Sequence, residues 1–318
     1  MELKLKNVTK TYERNTALNA FDYTFTEGLY GLLGPNGAGK STLMNLITQN
    51  MEADSGEILL NGHRISEYGA GYRKLLGYMP QQQTLYDEFT GEDFLRYMAA
   101  LKGMTKKKTE EQIGELLEVV NLKKERKSRI KTYSGGMKQR IMIAQALLND
   151  PAILLMDEPT VGLDPQERIR VRNFISTLAK NRIIILATHI VTDVESIANN
   201  VIIMKKGEII CSGATAVLLK KIEGKVFDVY VNEQERMYYL KVGSKITNVL
   251  QTSDGYCIRM ISENRPEHGE VRNAKPGLED LYLYWQKREV GLCDPGNCVA
   301  DDRRGNKCIA VKRVRGVK

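Results

Sequence analysis

An α/β fold is predicted by three features of this 318-residue sequence. A glycine-rich loop, Gly34-Pro35-Asn36-Gly37-Ala38-Gly39-Lys40-Ser41-Thr42, lies between a short apolar strand at 31–33 and an amphipathic helix starting near Lys40. Three apolar runs, Ile153 to Met156, Ile183 to Ala187 and Val201 to Met204, read as buried parallel strands with helices between them. Residues 2 to 30 alternate instead, with Phe21, Tyr23 and Phe25 on one face and Asp22 and Thr24 on the other, the period of half-buried antiparallel strands.

The elements follow in order. Leu43, Met44, Leu46 and Ile47 supply the buried stripe of the helix after the loop. Gly56 to Leu60 reads as a strand closed by the turn pair Asn61-Gly62, and another strand is expected around Gly77 to Met79. From Gly91 to about Leu122 the pattern becomes helical: Phe94, Leu95, Met98 and Leu101, a Lys-rich turn, then Ile113, Leu116, Leu117 and Val120. Lys206-Gly207 turns the last core strand back on itself. Near Gly224 the character shifts to strands at Val226 to Val231 and Tyr256 to Ile261 and a helix at Gly277 to Gln286. The expected division is a nucleotide-binding domain at 1–222, a small α+β domain at 223–288 and a basic, disordered tail at 289–318.

Composition narrows the classes. No apolar run approaches the roughly 18 residues that cross a bilayer, and Met1 to Lys6 alternates without the apolar core of a signal peptide, so a cytosolic chain is expected. The formal charge of +8 is local: residues 287–318 carry nine Lys and Arg against four Asp and Glu, and the rest is nearly balanced. Five cysteines occur without a C-x-x-C pair. Cys293, Cys298 and Cys308 cluster without a nearby His, which favours free thiols over a metal site.

The motifs carry phosphate chemistry. In the loop, glycines let successive N–H groups point at phosphate oxygens while the helix N-terminus favours negative charge. Lys40 would neutralise the β- and γ-phosphates and Ser41 would offer a hydroxyl to Mg²⁺. Ile153 to Met156 ends in Asp157-Glu158, which puts one carboxylate beside the Mg²⁺ shell and leaves the other to polarise an attacking water. Ser134 reads as the N-cap of a second helix running from Gly136 towards Leu148, a second terminus able to receive phosphate.

Tyr133-Ser134-Gly135-Gly136-Met137-Lys138-Gln139-Arg140 resembles the signature of the ATP-binding cassette family, whose members bind ATP between two head-to-tail subunits. The resemblance covers about residues 1–222. It implies a P-loop NTPase core with an antiparallel β subdomain and a helical subdomain, followed here by a small C-terminal α+β appendage. By the same resemblance Ser134, Gly135 and Gly136 would touch the γ-phosphate held by the other copy's phosphate loop. Tyr12 resembles the aromatic that stacks on adenine. Gln81 resembles the glutamine that senses Mg²⁺ and the attacking water, with Gln82 and Gln83 leaving its register open by a residue. Asp164 resembles the aspartate that crosses the dimer interface, and His189 the switch histidine that contacts the γ-phosphate and steadies Glu158. Tyr133, Met137 and Val161 depart from the family's usual Leu, Gln and Ser, none of which is charged or binds metal.

The function implied is an ATPase subunit at the cytoplasmic face of a membrane, powering an integral membrane transporter, an exporter by the resemblance of Leu278 to Tyr284. Its partners would be the membrane subunit and a second cassette, identical or paralogous, with no nucleic acid. Helices around Phe94 to Val120, with Gln81, Leu85, Tyr86 and Phe89, would receive a helix of the membrane subunit. A soluble ATPase acting on ribosomes or DNA is the alternative, which the basic tail permits, and an importer subunit is a third reading.

Overall fold

The computed structural model describes residues 1–13, 15–81, 85–241 and 245–286; the tail at 289–318, Cys293, Cys298, Cys308, Gln82 and Gln83 lie outside the described residues. The chain begins with β1 (Glu2–Tyr12), β2 (Asn15–Thr26), β3 (Gly28–Leu33), α1 (Lys40–Ile47), β4 (Ser55–Leu60), β5 (His63–Arg64), α2 (Ala70–Leu75) and β6 (Leu76–Met79). It continues with α3 (Gly91–Leu101), α4 (Lys106–Val119), α5 (Gly135–Leu147), β7 (Ile153–Asp157), α6 (Pro165–Thr177), β8 (Ile183–Thr188), α7 (Val191–Ile197), β9 (Asn200–Lys205) and β10 (Glu208–Ala214). The last part holds α8 (Thr215–Lys220), β11 (Val226–Val231), α9 (Glu233–Lys241), β12 (Lys245–Thr252), β13 (Gly255–Ile261), β14 (Glu270–Asn273) and α10 (Leu278–Gln286). Among the described residues no helix is long and apolar enough to cross a membrane.

The central sheet has the order β10-β9-β3-β8-β7-β6 and is parallel except for β10, which the Lys206-Gly207 turn sends back along β9. Side chains of a strand alternate between the two faces of its sheet, and here each face has its own core. Ile153 and Leu155 of β7, with Ile183, Ile185 and Ala187 of β8, pack against α1 and the N-terminal antiparallel sheet, whose order is β2-β1-β4-β5. Leu154, Met156, Ile184 and Leu186 point the other way, into the core shared with α3, α4 and α5. Burying each such side chain is worth about 1.5–3 kcal/mol, and this two-sided burial is why β7 and β8 read as unbroken apolar runs. The same alternation decides the site: Asp157 continues the parity of Ile153 and Leu155 and so faces α1, and Glu158 follows at the strand's end.

Phe21, Tyr23 and Phe25 do share a face, with Phe25 packed edge-on to Tyr30 at 5.0 Å between ring centres. The helical insertion differs from expectation in one place. Lys106, Lys107 and Lys108 form the first turn of α4, and the break lies at Lys102 to Thr105, where Gly103 at φ +71° ends α3 in the left-handed conformation that glycine tolerates.

A third sheet, β12-β13-β11-β14, is antiparallel throughout and has a small core of its own around Phe227, Val229, Val231, Tyr239, Ile258 and Met260. Helix α10 joins this sheet to the rest. Arg259 on β13 grips the buried Asp280 at 2.8 Å, while Leu278, Leu281 and Tyr284 enter the larger core and the Leu278 N–H donates to Glu195 Oε1 on α7 at 2.7 Å.

Candidate functional site

The phosphate loop leaves β3 and enters α1 without a side-chain cap, because Gly39 occupies the N-cap position at φ +102°. A side chain there would be strained by that angle and would also strike the Ala17 carbonyl oxygen, so only glycine fits. Lys40 is buried, and its ammonium donates to the carbonyl oxygens of Gly34 at 2.6 Å and Pro35 at 3.2 Å. Burial pulls its pKa below the usual lysine range, against the opposing pull of Glu158 and Asp157. The Ser41 hydroxyl donates to Asp157 Oδ2 at 2.8 Å. Burial pushes the Asp157 carboxyl up; the Ser41 hydrogen bond opposes that shift and the neighbouring Glu158 adds to it.

Glu158 is 4% exposed and sits at φ +55°, unusual for a residue other than glycine. Its backbone is held by an N–H bond to the Ala187 oxygen at 2.9 Å and by Gln139 Nε2, which donates to its carbonyl at 2.9 Å. Its carboxylate accepts from the Thr188 hydroxyl at 2.8 Å on Oε2, and from the His189 N–H at 3.0 Å on Oε1. The imidazole Nδ1 lies 2.7 Å from the same Oε1, which sets Nδ1 as the protonated nitrogen, while the ring remains half open to solvent. Gln81, Ser41 and Asp157 line one cleft of about 630 Å³, together with Asn45, Arg73 and Lys102. Lys102 donates to the Leu148 oxygen at 2.8 Å, and burial pushes its pKa down to about 8.

Gly34 to Thr42, Asp157, Glu158, His189 and Gln81 therefore gather around the C-terminal ends of β3, β7, β8 and β6, where ligands bind in open α/β sheets. The other expected site residues stand apart. Ser134 caps α5 by accepting from the Met137 N–H at 3.2 Å, and Asp164 caps α6 by accepting from the Glu167 N–H at 2.9 Å. Both are exposed, as is Gly135, and among the described residues no hydrogen bond links them to the phosphate loop. Gly136 is buried against Leu163 and Glu167, and a Cβ there would lie 2.5 Å from Glu167 Oε2. Tyr12 ends β1 in the open, with its hydroxyl donating to Met51 Sδ at 3.1 Å.

Sequence reasoning missed four residues. Gln139 follows Gly136 by three and so shares its helix face, a signal available from spacing alone. Thr188, Thr160 and Asp193 had no such signal. The Thr188 hydroxyl accepts from the Ile190 N–H at 3.0 Å while donating to Glu158, which ties the start of α7 to the end of β7. The fully buried Asp193 accepts from Thr160 Oγ1 and from Arg172 Nη1, joining α7, the loop after Glu158 and α6. Thr160→Val keeps the shape but leaves an Asp193 oxygen unpaired, and is expected to cost about 1–3 kcal/mol of stability. A lower urea midpoint at an unchanged slope is the measurement; an unmoved midpoint would refute the structural weight given to this contact.

Fold and site together define a class, an ATPase built on a phosphate-binding loop and a carboxylate-tipped strand. A family model described as ABC transporter matches residues 18–161. The chain is 37% identical over 233 residues to the uncharacterized ABC transporter ATP-binding protein YxlF of Bacillus subtilis (strain 168), covering 73% of this chain and 77% of that protein. It is 33% identical over 298 residues to the Nod factor export ATP-binding protein I of Rhizobium sp. (strain N33), covering 91% and 98%. The dimeric structure of the bacterial ABC transporter cassette MJ0796 matches with a TM-score of 0.62 at 26% identity, over 67% of this chain and 98% of that one. The chain belongs to the ATP-binding proteins of the ABC transporter family.

Proposed function

We propose that this chain is the ATP-hydrolysing subunit of a membrane exporter, stationed on the cytoplasmic face and working as one of two cassettes that close on ATP. The observation that carries this reading is the exposed N-terminus of α5. Its free N–H groups and dipole form an anion site, yet nothing among the described residues binds it to the chain's own phosphate loop. A second copy placed head to tail would bring its γ-phosphate to Ser134, Gly135 and Gly136, with Asp164 at the seam. The Nod factor export protein supports the exporter reading, because the likeness runs over 298 residues and so takes in most of the appendage. We divide the chain at about residue 222, with 223–288 as the accessory unit.

Within one site we assign the roles that the geometry supports. Gly34 to Thr42 would cradle the phosphates, and Lys40 would exchange its two loop carbonyls for β- and γ-phosphate oxygens. Tyr12 would face the adenine. Ser41 and Asp157, with Gln81 across the cleft, suit Mg²⁺: all three offer hard oxygen donors, and this ion prefers one or two protein oxygens plus phosphate and water. Bound there, Mg²⁺ would neutralise phosphate charge. Glu158 would take a proton from the attacking water. His189 would hold the Glu158 carboxylate through Nδ1–H and, as the imidazolium, would also donate Nε2–H to the γ-phosphate.

Affinity purification from gently solubilised membranes tests the assignment. Recovery of a polytopic membrane protein that alters ATP turnover is the expected result. Recovery of ribosomes instead, with no membrane protein, would overturn it.

A further inference from the structure

We propose that Gln139 is a positioning residue through which helix α5 sets the backbone of Glu158, so that engagement of the α5 N-terminus at one ATP site is felt at the catalytic carboxylate of the other. The proposal rests on the two-cassette reading and deepens it, since it names how the two sites of a dimer communicate inside one chain.

Three observations support it. First, Glu158 holds a left-handed backbone at φ +55°, which a non-glycine residue keeps only where its surroundings over-determine it. Its carbonyl oxygen has two donors among the described residues: Gln139 Nε2 at 2.9 Å and, less closely, the Val161 N–H at 3.3 Å. The Val161 bond lies within the same loop, so Gln139 is what ties this peptide to a separate element. Second, that element is the helix whose N-cap is Ser134, and Gln139 lies little more than one turn from the cap. Third, α5 cannot move past the loop unfelt. Gly136 abuts Leu163 and Glu167, and Arg140 Nη2 pairs with Glu167 Oε1 at 2.9 Å, largely out of water. Arg140 Nη1 also donates to the carbonyl oxygens of Val120 at 3.1 Å and Asn121 at 2.9 Å, which fastens the end of α4 to the same unit.

A small axial shift of α5 would then pull on the peptide after Glu158. Turning that peptide would strain the carboxylate's bonds to Thr188 and His189, which belong to β8 and the residue after it rather than to α5, and so re-aim the carboxylate. The Gln139 amide would carry the part of this coupling that reaches the Glu158 peptide directly, and the coupling would be reciprocal in binding.

The test is ATP turnover by the full chain against ATP concentration. Gln139→Leu removes the donor at nearly constant volume. Expected are a fall in kcat of about 10- to 100-fold, the scale of a misplaced catalytic group, a KM for ATP within about twofold of wild type, and a Hill coefficient that drops towards 1. Gln139→Lys, which restores a donor of similar reach, is expected to recover most of kcat. In the Glu158→Gln background Gln139→Leu should add no further loss, because its effect passes through Glu158. Should Gln139→Leu fail to fold, Gln139→Met carries the same test. A purely structural role would lower the urea midpoint while leaving kcat per folded molecule and the Hill coefficient at wild-type values, and that result would overturn the proposal. Failure of the two-cassette reading looks different: the wild type itself would show no cooperativity and no response to Ser134→Arg.

Discussion

Glu158→Gln is expected to lower ATP turnover by about 10²–10⁴-fold and to leave ATP binding within a few-fold of wild type. The substitution is close to isosteric. The Gln carbonyl can still accept from the His189 N–H, and the Thr188 hydroxyl can rotate to accept from the new amide, so the left-handed turn at Glu158 keeps its supports. Lost are the negative charge and the basicity needed to take a proton from water. Magnitude separates this from a packing effect. One weakened neutral hydrogen bond is worth about 1 kcal/mol, or roughly fivefold in rate, whereas loss of the general base removes about 3–5.5 kcal/mol from the stabilisation of the transition state. ATP binding is spared because Gly39 and the first residues of α1, Lys40 and Ser41, make no hydrogen bond to Glu158. Phosphate release at saturating ATP, set beside equilibrium binding of a fluorescent ATP analogue, reads both quantities. Turnover within fivefold of wild type would remove Glu158 from the catalytic role.

The legible parts of this protein are those in which one segment carries both the geometry and the chemistry. Gly34 to Thr42 is such a segment, since strand, turn and helix N-terminus are contiguous and each glycine has a local reason. The strand β7 is another: five buried residues ending in a carboxylate announce both a central position and a site at its tip. Legibility fails where an element is half exposed or very short. Strand β12 buries none of its residues fully, β14 has four residues, and α9 buries only Tyr239, so none has a pattern strong enough to read. The dual allegiance of α10 was likewise hidden. Leu278, Leu281 and Tyr284 give a plain amphipathic stripe, and the stripe does not say which of two cores it joins. The site divides the same way. Lys40, Asp157 and Glu158 lie in motifs, whereas the bonds of Thr160 to Asp193 and of Gln139 to Glu158 join segments 33 and 19 residues apart, and no local period encodes them.

Ser134→Arg is expected to abolish ATP-driven dimerisation while the monomer goes on binding ATP. Two effects of the change have to be weighed. Arg cannot accept the Met137 N–H that Ser134 Oγ now accepts at 3.2 Å, which costs about 1 kcal/mol of helix stability. A domain of ordinary stability, some 5–15 kcal/mol, survives that loss, so the chain remains folded. The larger effect is at the surface. Ser134 and Gly135 are exposed at the mouth of the α5 N-terminus, and an Arg side chain there fills the space an incoming phosphate needs. Its guanidinium also competes with the helix N–H groups for that phosphate at the wrong distance. The phosphate loop is untouched, since among the described residues nothing bonded to Gly34 through Thr42 includes Ser134. The assay is light scattering with ATP in the Glu158→Gln background, where slow hydrolysis lets a closed dimer accumulate; ATP binding is measured on the same sample. Ser134→Ala separates the two effects, because it loses the cap without adding bulk and should weaken the dimer only about tenfold. Loss of ATP binding by the Ser134→Arg monomer would place Ser134 in its own chain's nucleotide site and defeat the shared-site arrangement. An undiminished ATP-dependent dimer would defeat it equally, by showing that closure does not pass through the α5 N-terminus.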